Sequence, residues 1–143
     1  MDRQSRNTED KPKIIVVDDD PLILEAVSAL LSEYDYASFP YENASDAFEY
    51  LKAGDTDVVL TDISMPGMTG LELLDKIKAL YPQVPVILMT AYSETLSVTL
   101  LRDNGAFDFI KKPFSPDTLV STVRKAVECV NSSRTELEQV RPS

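Results

Sequence analysis

Four stretches of the chain place a chemically useful residue at or just beyond the end of a short apolar run. Residues 14–17 (IIVV) run into Asp18, Asp19 and Asp20. Residues 58–60 (VVL) lead to Asp62, residues 86–89 (VILM) to Thr90, and residues 107–110 (FDFI) to Lys111, Lys112 and Pro113. Carboxylates gathered within a few ångströms repel, and their pKa values rise unless a cation intervenes. A set of oxygen ligands with no histidine or cysteine suits a hard cation. Mg²⁺ is the expected one, because few carboxylates hold it, it keeps waters and it cooperates with phosphate oxygens. A lysine and a hydroxyl converging on a metal-bound aspartate make a site for phosphoryl transfer to that aspartate. Asp18 and Asp19 are adjacent and placed to hold the metal. Asp62 stands alone, ahead of a Pro66-Gly67 turn and Gly70, and is the expected nucleophile. The backbone carbonyl of Ser64, two residues on, is expected to reach the same metal.

Composition narrows the alternatives. The 143 residues carry a net charge of −10, with 43% hydrophobic and 27% charged residues. That balance fits one soluble domain able to bury a core without staples. No stretch approaches the roughly 18 apolar residues of a membrane span. The first eleven residues are polar and lack a signal-peptide core. The chain has no histidine and only Cys129. Ser-His-Asp and Cys-His catalysis, His-ligated zinc, a phosphohistidine carrier role and an internal disulfide are therefore excluded. A lone cysteine makes a reducing, cytoplasmic setting the default. The acidic balance argues against direct DNA or RNA binding through a broad basic face. Neither nucleic acid nor membrane is an expected partner.

The elements that must position these residues follow from periodicity. The apolar runs are short and rich in β-branched residues, as in a parallel sheet covered on both faces. A weaker run lies at residues 36–39. Helical patterns separate them. Asp20 with Pro21 starts the first, whose expected apolar face is Leu22, Ala26, Ala29 and Leu30. Asn43 with Asp46 opens the second, with Ala47, Phe48 and Leu51 inside and a stop near Gly54. Thr69 with Glu72 forms a capping box for the third, which carries Leu71, Leu74, Ile77 and Leu80. Residues 93–103 are an expected fourth helix, ended by Asn104-Gly105. Ser115-Pro116 opens a fifth, with Leu119, Val123, Ala126, Val127 and Val130. Strand then helix, five times over, gives a doubly wound α/β sheet. In such sheets chemistry gathers at the carboxyl ends of the strands. Residues 1–12 read as a disordered leader, 13–130 as the domain, and 131–143 as a polar tail or the start of a linker.

Taken together, VVDDD, LTDISMPGMTGLELL, VILMTA and GAFDFIKKPF resemble, in order and spacing, a response regulator receiver domain of two-component signal transduction. The resemblance covers roughly residues 13–130. It implies a flavodoxin-like sheet of five parallel strands in the order 2-1-3-4-5 with five helices. It also implies Mg²⁺-dependent phosphorylation of Asp62 by a sensor histidine kinase or a histidine phosphotransfer protein. Asp18 and Asp19 match the acidic pair that organises Mg²⁺, Asp19 more directly. Ser64 matches the carbonyl ligand, Thr90 the switch hydroxyl and Lys112 the family's lysine. Phe109 matches the aromatic switch position, where a phenylalanine moves on packing alone. Asp20 is read as an N-cap, Lys111 as a solvated charge, Cys129 as a helix residue without a redox role, and Tyr92 as a residue that tunes access to the acceptor. Phosphorylation is expected to bias the surface formed by the fourth helix, fifth strand and fifth helix, which controls a partner or output domain and could pair two copies. Such a domain catalyses only its own phosphorylation and dephosphorylation.

Two other readings compete. A haloacid-dehalogenase-like phosphatase would use Asp18 as nucleophile and Asp20 beside it, but needs a further acidic motif after the lysine and a cap domain. A pseudo-receiver would use the fold only for docking, and usually lacks a key residue. A heptad of Val123, Val130 and Leu137 offers a short coiled coil, which Asn131, Ser132 and Ser133 are expected to interrupt.

Overall fold

The structure, a computed structural model, describes residues 11–91 and 104–140, the last eight of them by backbone alone. In chain order the elements are β1 (Lys13–Val17), α1 (Pro21–Glu33), β2 (Ala37–Tyr41), α2 (Ala44–Lys52), β3 (Val58–Asp62), α3 (Gly70–Leu80), β4 (Val86–Thr90), β5 (Asp108–Lys111) and α4 (Pro116–Val140). The five strands form one sheet in the order β2-β1-β3-β4-β5, and every pairing is parallel. This is the expected topology. The expected helix at 93–103 lies outside the described residues, as does Tyr92.

Successive strand residues point to opposite faces, which divides the core in two. Ile15, Val17, Val59, Val86 and Leu88 pack with Ala44, Ala47 and Leu51 of α2 and Leu73, Leu74 and Ile77 of α3. Ile14, Val16, Val58, Leu60, Ile87 and Met89 pack on the other side with Leu24, Val27 and Leu31 of α1 and Leu119, Val123, Ala126 and Val127 of α4. The central strands β3 and β4 are buried from end to end. Each of the first three helices starts at the expected cap. Asp20 accepts from the Leu22 N–H, Asn43 from the Asp46 N–H, and Thr69 forms a full capping box with Glu72.

Three local expectations are corrected. The buried face of α1 is Leu24, Val27 and Leu31, while Leu22 is 73% exposed and Ala26 and Ala29 face water. Leu22 and Leu24 lie about 200° apart around a helix, so one stripe must lose, and the stripe with fewer alanines buries more apolar area. On α3, Leu80 is likewise exposed, and Leu73 takes its place in the core. Finally, α4 runs through Asn131, Ser132 and Ser133 to Val140 without interruption. Two serines and an asparagine carry only a modest helix penalty, which neighbouring helix formers outweigh. Val123 is fully buried against the sheet, so it belongs to the core and not to an outward seam.

Candidate functional site at the carboxyl edge of the sheet

The parallel strands deliver Asp18, Asp62, Thr90 and Lys112 to one edge. Asp18 follows β1 and is 1% exposed; Asp62 closes β3 and is 7% exposed; Thr90 closes β4 and is also buried. Register sets Thr90 beside Lys111 across β4 and β5, and the Lys112 N–H donates to the Thr90 carbonyl at 2.7 Å. The Lys112 side chain lies over the edge. Its Nζ donates to Asp18 Oδ2 at 2.7 Å and lies 3.4 Å from Asp62 Oδ1. Asp18 Oδ1 accepts from the Asp20 N–H at 3.0 Å, which joins the acidic run to the cap of α1. Asp20 is a cap, as expected.

Asp19 is exposed and completes the cluster. One carboxylate oxygen each from Asp18, Asp19 and Asp62 lies within 4.8 Å of the others. Lys112 supplies a single positive charge against three carboxylates. Burial pushes the Asp62 carboxyl above the usual carboxylate range; Lys112 pulls it back, and the neighbouring Asp18 adds to the rise. For Lys112 burial acts downward, but the bond to Asp18 and the charge of Asp62 outweigh it and leave the amine above its ordinary value. A cluster of buried oxygens with surplus negative charge, open to water at Asp19, fits a hard divalent cation. Ser64 is exposed in the loop after β3. Phe109 is half-buried and packs against the core cluster that holds Leu88 and Ala106. Lys111 is exposed, in keeping with a solvated charge, and Cys129 is exposed on α4.

Two contacts at Asp62 were not legible as site features. The Thr61 hydroxyl donates to the Asp62 carbonyl at 3.0 Å. Gly70 rests so close to that peptide that a Cβ there would overlap the Asp62 carbonyl oxygen and come within 2.8 Å of the Ile63 Cα. The only sequence signal was a threonine before the aspartate and a glycine at the first position of a capped helix.

A profile of the response regulator receiver domain matches residues 14–124, across all four strand ends that build the site. The chain belongs to that family. It is a receiver domain of the two-component response regulators. The receiver is 40% identical over 112 residues to the DNA-binding transcriptional regulator NtrC of Escherichia coli, covering 78% of this chain and 24% of that protein. It is 37% identical over 117 residues to the C4-dicarboxylate transport transcriptional regulatory protein DctD of Rhizobium meliloti, covering 82% and 25%. The receiver thus spans about a quarter of the length of these relatives. Among solved structures it superposes on NtrX from Brucella abortus with a TM-score of 0.83 at 30% identity, covering 93% of this chain and 30% of that one. It also superposes on a CheY-like receiver from Methanospirillum hungatei with a TM-score of 0.80 at 26% identity, covering 86% and 98%. The family match leaves the haloacid-dehalogenase-like reading without support. Among the described residues no helix is long and apolar enough to cross a membrane.

Proposed function

We propose that the receiver accepts a phosphoryl group on Asp62 from a sensor histidine kinase or a histidine phosphotransfer protein, with Mg²⁺ held at the acidic edge. The observation that carries this reading is the convergence of Lys112 with the Asp18, Asp19 and Asp62 carboxylates at the carboxyl edge. Asp18, Asp19 and Asp62, with the Ser64 carbonyl, would hold the cation. When bound, it neutralises charge on the phosphoryl oxygens.

The chain's own residues do the rest. An Asp62 oxygen forms the new P–O bond. The donor's bond to phosphorus breaks, and its electron pair leaves on the donor imidazole. Lys112 supplies a fixed positive charge beside the incoming group. Thr90 offers a hydroxyl that can donate to a phosphoryl oxygen. Phosphorylation adds about −1.5 to −2 of charge and three strong acceptors. Thr90 and Lys112 gain contacts that exist only in the phosphorylated state, and differential contacts of that kind shift a conformational equilibrium. Phe109, on β5 and packed on the sheet face opposite α4, is the group to carry the change to the surface formed by the expected helix at 93–103, β5 and α4. That surface then controls an output domain or partner, or pairs two copies. The reading places the domain in the cytoplasm, acting on itself alone as a catalyst.

Peptide mapping after exposure to acetyl phosphate and Mg²⁺ tests the assignment. The expected result is a hydroxylamine-labile phosphoryl group on the peptide that contains Asp62. A stable phosphoryl group on a serine or threonine, or one on the peptide containing Asp18, overturns it.

A further inference from the structure

Resting on that reading, we infer that Thr61 and Gly70 are positioning residues that hold the Asp62–Ile63 peptide so that Asp62 presents one chosen carboxylate oxygen to the phosphoryl donor. The peptide is tied at both polar ends. Its carbonyl accepts from the Thr61 hydroxyl at 3.0 Å. Its N–H, on Ile63, is shared between the Met89 carbonyl and Asp62 Oδ1, each at 3.0 Å. Gly70 closes the third side: its Cα lies against the peptide with no room for a Cβ, and its N–H donates to the Ile63 carbonyl at 2.8 Å.

The consequence falls on the carboxylate. Oδ1 takes the Ile63 N–H and lies nearer Lys112. Oδ2 is then the oxygen left for a new bond. Any rotation of the 62–63 peptide weakens the bond to Oδ1 and turns the carboxylate with it. A reacting atom misplaced by even an ångström loses much of the advantage of preorganisation.

Burial sharpens the case for Thr61. It is fully buried in a strand of apolar neighbours. Valine has nearly the same shape there and no hydroxyl to satisfy, so packing alone does not call for threonine.

With acetyl phosphate as donor, Asp62 Oδ2 bonds to phosphorus, the P–O bond to the acetyl group breaks, and acetate leaves with the electron pair. The test follows this reaction in Mg²⁺ by intact mass for the parent, Thr61→Val and Thr61→Ser, with thermal melts alongside. The expected result for Thr61→Val is a maximal labelling rate lowered about fivefold at an unchanged half-saturating acetyl phosphate concentration, as for a lost alignment. Thr61→Ser, which keeps the hydroxyl, recovers most of that rate. A Thr61→Val rate equal to the parent's overturns the inference. So does a loss shared equally by Thr61→Ser, which would assign the effect to strand packing, or a change in half-saturation alone. Labelling of the parent at Asp62 in the same series keeps failure here separate from failure of the phosphoacceptor reading.

Discussion

At the residue scale the site is held by one cation among buried anions. Asp18 is almost wholly inside the protein and faces Lys112 at 2.7 Å. Removing one partner of such a pair leaves the other buried and uncompensated, which is strongly destabilising. Lys112→Ala is expected to lower unfolding stability by about 3 kcal/mol without divalent cation, measured by urea denaturation, and Mg²⁺ should recover part of the loss. A loss below about 0.5 kcal/mol would mean that Asp18 is already solvated, as for surface pairs.

Asp62 carries the opposite sign. Burial holds its carboxyl above the ordinary range. From about pH 4 up to that raised value, the folded protein keeps a proton that the unfolded chain has released, so stability falls as pH rises across the window. Asp62→Asn removes this contribution. Without Mg²⁺ it should melt above the parent at neutral pH, and the difference should close as pH falls towards 4. A difference independent of pH would contradict the assignment of the shift to Asp62.

At the scale of elements, three caps and the strand ends decide where side chains point. Asp20, Asn43 and Thr69 were legible because cap chemistry is local: an oxygen at a fixed offset meets a free N–H. The strands were legible because β-branched runs of this length have few other uses. The face of α1 was not. Its apolar residues cover two stripes, and only tertiary packing selects Leu24, Val27 and Leu31 over Leu22, Ala26 and Ala29. Leu31→Ala should therefore cost about 3 kcal/mol, as for a cavity in a packed core, while Leu22→Ala should change stability by less than about 0.5 kcal/mol. Equal costs in chemical denaturation would restore the face that periodicity alone favoured. The length of α4 was missed for a related reason. Polar residues without proline or glycine do not stop a helix already anchored by Leu119, Val123, Ala126 and Val127.

At the scale of the whole molecule, topology carries most of the account. A parallel sheet in the order β2-β1-β3-β4-β5 sends every carboxyl end to one edge. Residues 22 to 94 positions apart in sequence become neighbours there. This is why Asp18, Asp62, Thr90 and Lys112 could be picked from sequence: each lies within two residues of the end of an apolar run, and the run fixes its place. Thr61 and Gly70 escaped because their work lies in contacts with backbone atoms, which leave no mark in residue type or period. The proposed function requires Asp62 to accept a phosphoryl group from a donor at this edge with the help of a divalent cation. Intact mass after incubation with acetyl phosphate tests it most directly, for the parent and Asp62→Asn, each with Mg²⁺ and with EDTA. The account predicts a gain of one phosphoryl group in the parent with Mg²⁺ and in no other sample. An equal gain by Asp62→Asn, or by the parent in EDTA, would contradict it.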